Sequence, residues 1–284
     1  MSTPLTVLLL AVAYALLFLL ERVLPLRRPK ERLLPRLLVN AIVSATAFAT
    51  AAVLVQPVAR IMIEFTGAES FGLIPLVGLT GLAEIAAAFL LLDLTFYYWH
   101  VANHRVAFLW RFHNTHHIDP DLDVSTAFRF HFVEVGLSAG FRVVQVLLIG
   151  PSPIAFLVYE IAFQLGTLFH HSNVRMPLRL ERTFNLVFVT PRMHGIHHSN
   201  IREENRTNFG VVLQWWDRLH RTRRLSIPQD EVTIGIPGYS APQDNAVVNA
   251  LMMPFRPQRD YWQGPQGKRL RRESLSSTAN GQLA

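Results

Sequence analysis

Cysteine is absent from this 284-residue chain. That excludes disulfides, zinc fingers and iron–sulfur ligation, and it leaves histidine as the main side chain for a transition metal. Acidic residues are outnumbered: 20 Asp and Glu stand against 27 Lys and Arg, a net charge of +7 carried mostly by arginine. Nothing interleaves aromatic with basic residues in the manner of single-strand binders. The charge therefore suits anionic headgroups, and no nucleic-acid partner is expected. No flavin, haem or iron–sulfur motif is present, so any redox chemistry needs electrons from outside the chain.

Apolar residues are abundant, at half the chain, and their long runs fall in the first 170 residues. This patterning predicts an all-α integral membrane protein with about four to five transmembrane helices. Leu5 to Leu20 is an apolar run closed by Glu21 and Arg22. The charge follows the run and no small-residue cleavage site is evident, so a first membrane helix over about 4–24 is expected rather than a signal peptide. Glu21 to Arg36 carries six basic and two acidic residues, which by the positive-inside rule places it in the cytoplasm. Leu37 to Ile63 is the second span, with Pro57 and Arg60 near its outer end, and 64–80 is a short outer loop or shallow re-entrant segment. Gly81 to about Asn103 is a third span. Val135 to Phe169 reads as two more, folded back on each other by the turn Gly150-Pro151-Ser152-Pro153. Residues 172–224 mix arginine with apolar residues, as helices in the headgroup region do. The expected division is 1–80, N-terminal membrane helices; 81–225, a catalytic domain; and 226–284, a partly disordered C-terminal tail whose basic patch Arg269 to Arg272 is solvated or faces lipid.

Histidine is the informative residue. Five of twelve fall within 18 residues, at His100, His104, His113, His116 and His117. His100 and His104 share one helix face, and the HxxHH spacing of the next three is repeated by His194, His197 and His198. His170 and His171 end a span on the same side of the membrane. Neutral imidazoles clustered in this way suit iron or zinc. The histidine motifs themselves contain no carboxylate, which weakens a hydrolytic two-zinc reading. Nine imidazoles (His100, His104, His113, His116, His117, His171, His194, His197 and His198) exceed one ion's needs and suit two. Asp93, two turns before His100, is expected to hydrogen-bond a ligand histidine. His131 is a candidate tenth ligand or a partner of one, with Glu134 on the next turn able to pair with it. Asn173, Asn205, Asn208 and Asp217 are candidates for orienting ligands, with helix capping and loop tying as their alternative roles. His220, among arginines, reads as a surface residue.

The order of these motifs resembles the fatty acid hydroxylase superfamily, also called the sterol desaturase family. DLTFYYWHVANH, RFHNTHH, RFHFVE, FHHSN, PRMHGIHHS, NRTNFG and WDRLHRT carry the likeness, from about Asp93 to Arg218. Val101, Phe132, His220 and Arg221 depart from the family's usual residues. The resemblance makes His171, rather than His170, the ligand in FHHSN. It implies a histidine-rich diiron enzyme that uses dioxygen to hydroxylate a lipid, a fatty acyl chain or a sterol-like substrate, with desaturation at the same site as the alternative. It also implies two iron ions, open to replacement by zinc during purification. The other expected partners are a lipid entering from the bilayer and a separate electron-donor protein. Topology places the catalytic face in the cytoplasm, in a plasma or inner membrane. A non-enzymatic metal-binding membrane protein is the competing class.

Overall fold

The computed structural model describes residues 4–264 and 267–272. It is helical, with isolated β-bridges but no strand among the described residues. Five stretches are long and apolar enough to cross a membrane: Pro4–Val23, Leu33–Val77, Gly81–Arg105, Phe132–Ile149 and Pro153–His171.

α1 (Pro4–Val23) exposes Leu5, Leu8, Leu16 and Leu19 and buries Glu21. The inversion is the one lipid demands: apolar side chains face out, and the rare charged group faces protein. The second span, which opens with α2 (Leu33–Thr50), does not stop at the expected Ile63. It passes through one π-helical turn, Ala51–Val55, into α3 (Gln56–Ala68). Pro57 accounts for the turn. It lacks an N–H and its ring crowds the carbonyl four residues back, so the ladder slips by one residue rather than breaking. The 64–80 connection contains α4 (Leu73–Val77).

α5 (Gly81–Arg105) and α6 (Ala107–His117) are nearly continuous, broken by Val106 in an extended conformation. α7 (Phe132–Ile149) and α8 (Pro153–His171) are joined by the Gly-Pro-Ser-Pro turn. Gly150 ends α7 at φ +64°, and Ser152 caps α8 by accepting from the Ala155 N–H at 3.2 Å. Glu84 on α5 accepts from the N–H and the hydroxyl of Ser152, both at 3.0 Å, fixing the hairpin to the third span. At Gly72 a Cβ would sit 2.5 Å from the Gly150 nitrogen, so the loop before α4 reaches α7 only because neither residue has a side chain.

Short helices follow: α9 (Leu178–Phe184), α10 (Pro191–His197), α11 (Arg202–Asn205), α12 (Trp215–Leu219) and α13 (Val247–Met252). The last of these lies in the stretch whose composition suggested partial disorder. Instead, residues 227–262 pack. Ile236, Tyr239, Ala250, Met253 and Trp262 are buried with Val43 of α2 and Trp110 and Ile118 of the α6 region. Ile227, Val232 and Ile234 close over Leu122 and Ile196. Within the basic patch, Arg272 reaches back to buried Glu204 at 2.6 Å rather than facing lipid. The tail beyond Arg272 lies outside the described residues.

Candidate metal centre

Each histidine motif ends a helix at the same place. His100 and His104 lie in the last turns of α5, one turn apart on one face, and both are buried. The bend at Val106 turns the chain so that α6 presents His113, His116 and His117 toward them. α10 brings His194 and His197, with His198 as its C-cap residue, and α8 contributes His171 from its last turn.

The rings sort into two groups, His100, His104, His113, His117 and His197 in one, and His116, His171, His194 and His198 in the other. Within each group one ligand-capable atom per residue lies within 4.8 Å of the others. The two HxxHH triplets are therefore split in the same manner. The i, i+4 pair of one triplet joins one group and its middle histidine joins the other. The groups touch, with the His117 and His198 rings stacked at 4.2 Å between centroids.

Hydrogen bonds at the outer edge settle ring tautomers in the first group. Nδ1–H of His100 donates to the Phe209 carbonyl at 2.8 Å, that of His104 to Asn205 Oδ1 at 3.0 Å, that of His113 to Glu134 Oε1 at 2.8 Å, and that of His197 to the Thr207 carbonyl at 2.8 Å. An oxygen acceptor requires the proton on Nδ1, so in a neutral ring the lone pair sits on Nε2. Nε2 of His104, His113, His117 and His197 is buried and has no hydrogen-bond partner. Those of His104, His113 and His197 are buried acceptors without donors, costly in a bare protein and ready-made for a cation; His117 differs in that its Nδ1 faces the Asn205 amide nitrogen at 3.2 Å.

The second group makes the same point by distance. Nε2 of His171 lies 3.0 Å from Nε2 of both His116 and His194, and His194 Nε2 lies 3.1 Å from that of His198. Two nitrogens at right angles around an ion, each bound at roughly 2.1 Å, would stand about 3.0 Å apart. His171 is oriented by its Nδ1–H, which donates to the Thr167 carbonyl at 2.8 Å. Burial, and after it the neighbouring imidazoles, hold His116, His117, His194 and His198 far below the ordinary histidine pKa; in His197 burial again leads. These rings are neutral at pH 7, the form that binds metal. The residues present fit two ions.

The remaining candidates divide. Asn205 orients ligands: besides accepting from His104 it donates to the His197 carbonyl at 3.0 Å and lies 3.2 Å from His117 Nδ1. Glu134 pairs with His113, not with His131. His131 is no ligand, because Nδ1 caps α7 at the Val133 N–H and Nε2 donates to the Leu251 carbonyl at 3.0 Å. Asp93 touches no histidine; it accepts from the Leu213 N–H and from Trp216 Nε1. The sequence separation to His100 is right for one face, but the late segment occupies that side of α5. Asp217 acts one step removed from the histidines. It accepts from the N–H groups of Phe209 and Gly210 at 2.8 and 2.7 Å and from the Thr222 hydroxyl, which holds the carbonyl that orients His100. Burial pushes its pKa up to about 6. Asn208, at φ +57°, ties Met193 to Arg224, and Asn173 pairs with the backbone of Arg27. His170 donates to the Val211 carbonyl and lies outside both groups. His220 is half-buried rather than free on the surface, stacked on Tyr97 with its Nε2 2.8 Å from the Tyr98 hydroxyl.

The carbonyls of Thr167, Thr207 and Phe209 were not identifiable from sequence, since every residue has one. Glu134→Ala should lower metal affinity in the first group by roughly 10–100-fold, while Glu134→Gln, which keeps an oxygen acceptor, should lose less. Metal retained against a graded chelator series measures this, and retention by the alanine variant equal to wild type would refute the role.

A helical chain that gathers histidines in this order and at this depth matches a known pattern. Residues 85–222 match the family model described as fatty acid hydroxylase. The chain is similar to the ornithine lipid hydroxylase OlsE of Rhizobium tropici, 32% identical over 158 residues that cover 55% of this chain and 46% of the relative. It is also similar to human alkylglycerol monooxygenase, 32% identical over 48% of this chain and 29% of the relative. Human cholesterol 25-hydroxylase is 28% identical over 52% of this chain and 54% of the relative. The matched stretch thus spans about half or less of these relatives. No solved structure matches the chain.

Proposed function

We propose that the protein is a membrane-bound diiron oxygenase that hydroxylates a lipid. The observation that carries this is the convergence of nine buried histidines into two adjoining groups with their lone-pair nitrogens unpartnered or 3.0–3.1 Å apart. His100, His104, His113, His117 and His197 would hold one iron, and His116, His171, His194 and His198 the other. Imidazole-only ligation at a membrane boundary suits dioxygen activation, which is the chemistry the metals would supply. The protein's own residues fix the tautomers, keep the rings neutral and exclude water from the pair. One oxygen atom enters a carbon–hydrogen bond and the other leaves as water, at the expense of two electrons and two protons. With no redox motif in the chain, a separate protein is the electron donor. The relatives' names, hydroxylase and monooxygenase, favour oxygen insertion over desaturation.

The substrate is a lipid drawn from the bilayer, a fatty acyl chain or a sterol-like molecule. The test is incubation of membranes containing the protein, a reductant and ¹⁸O₂, with mass analysis of extracted lipids. A product carrying one heavy oxygen supports hydroxylation; loss of two hydrogens without added oxygen would replace it by desaturation. The arginine distribution supports a cytoplasmic side for the histidine clusters and the tail, in a plasma or inner membrane. A cysteine introduced at exposed position 260, in a chain that has none of its own, should resist an impermeant reagent in intact cells and react after lysis, whereas position 115 is fully buried and reports nothing by labelling. Labelling of position 260 in intact cells would invert the topology.

A further inference from the structure

Between α1 and α2, residues 24–32 cross from one candidate span to the next and enclose a cavity of about 160 Å³. Five basic and three acidic side chains line it. Most of the acids are already engaged. Asp123 takes the guanidiniums of Arg22 and Arg36 at 3.0 and 2.6 Å, and Asp121 takes the backbone N–H groups of Lys30 and Glu31. Arg27, Arg28 and Lys30 have no ion-pair partner among the described residues.

Arg27 is the anomaly. It is buried, and its Nη1 donates only to neutral oxygens, Gln229 Oε1 at 2.7 Å and the Pro191 carbonyl at 3.4 Å. Its Nε and Nη2 have no partner at all. Burial, with Arg192 nearby, lowers its pKa to about 10, so it is still charged at neutral pH. Glu181, Glu21 and Asp121 act on it only from a distance, and a buried guanidinium with no anion in contact is unfavourable unless a ligand or ordered water meets it. The fold nevertheless makes room for it. Asn173 clamps its backbone from both sides at 2.9 and 2.8 Å, and a Cβ at Gly195 would lie 2.3 Å from its Nη1. Gly195 stands between His194 and His197, so the segment that carries three of the clustered histidines rests on this arginine.

We infer that the cavity is a binding site for a phosphate-type anion, with the Arg27 guanidinium as its base and Arg28 and Lys30 at its mouth. The forked guanidinium suits phosphate oxygens. Residues 24–32 sit where two spans meet water, so a phospholipid headgroup and free phosphate are the two sources of that chemistry. The site is independent of the reaction proposed above.

The experiment uses the full-length protein in neutral detergent, titrated with phosphatidylglycerol and, separately, with inorganic phosphate. Saturable binding is expected, weakened about tenfold by Arg27→Gln, as befits loss of a charge-assisted hydrogen bond, and several-fold by Arg28→Gln. Arg218→Gln, on α12 in a basic region elsewhere, should bind like wild type. Arg28 is exposed, so its variant tests the site even if Arg27→Gln does not fold. Binding of the lipid alone assigns the headgroup as ligand; binding of both, with phosphate displacing lipid, assigns the phosphate group itself. Absence of binding by either probe, or binding that neither substitution weakens, overturns the proposal and leaves the cavity to water.

Discussion

His171→Ala should abolish product formation, by more than ~100-fold, and remove the ion of the second group, while His170→Ala keeps both activity and metal. The two histidines are adjacent at the end of α8 and both are buried. Their surroundings separate them. His171 Nε2 stands 3.0 Å from the Nε2 atoms of two other histidines and its Nδ1–H is anchored on its own helix. His170 sits about 100° round the helix and donates to Val211. Loss of a ligand should exceed the 10–100-fold that loss of a ligand's outer partner costs. The fold of His171→Ala persists, because the helices are held by packing and by lipid rather than by this contact. His170→Ala forfeits one buried hydrogen bond and some packing, about 1–3 kcal/mol. Product formation and metal content are to be compared at matched expression. A dead His170→Ala beside an active His171→Ala would redraw the second group around His170.

Asp119→Ala should be the most destabilising substitution outside the histidines, at roughly 3–5 kcal/mol. Asp119 is fully buried, taking Arg36 Nε at 2.6 Å and Nη2 at 3.1 Å, Asn40 Nδ2 at 2.9 Å and the Thr126 hydroxyl at 2.8 Å. Arg129, itself fully buried, lies 3.8 Å away. Burial alone would raise the Asp119 pKa, but the guanidiniums of Arg36 and Arg129 outweigh it and hold the carboxyl below the usual range. The sign follows. This contribution is complete above the unfolded carboxylate pKa near 4 and is lost as pH falls through the lower folded value. Removing the carboxylate leaves Arg129 buried against neutral acceptors only and loosens α2 from the segment that follows α6. Thermal unfolding of purified protein measures the loss, with the exposed Asp260–Arg269 pair as a control that should scarcely matter. Melting of Asp119→Ala at the wild-type temperature would contradict the account.

These two cases mark what the sequence discloses. Long apolar runs announce the spans because nothing else satisfies a backbone in lipid, and His100 with His104, or the HxxHH spacings, announce a shared helix face. The division of each triplet between two groups does not follow from spacing; it depends on the bend at Val106 and on the angle at which α10 meets α8. Asp119 is one of three aspartates between α6 and α7, and nothing in its local spacing points to its partner, Arg36, 83 residues earlier. Helical register puts Asp93 on the face of His100, yet Leu213 and Trp216, more than a hundred residues later, claim it. The tail misled in the opposite direction. Its average composition is that of a disordered segment, but a few well-placed residues suffice to dock it, with Trp262 stacked on Trp110 at 5.9 Å and the Ala250 carbonyl accepting from Thr115 beside His116.

Metal stoichiometry tests the central claim most directly. Protein purified anaerobically without chelator should hold about two metal ions per chain, iron in the active form, since two separate sets of imidazoles are present and each is complete enough to bind one. Zinc in place of iron at the same count is consistent with that reading, because nitrogen sites favour zinc over ferrous iron. His104→Ala and His198→Ala, one from each group, should each reduce the count to about one. A wild-type count of one or none, or loss of both ions from either single variant together with intact folding, would contradict two metal sites built from two groups of histidines.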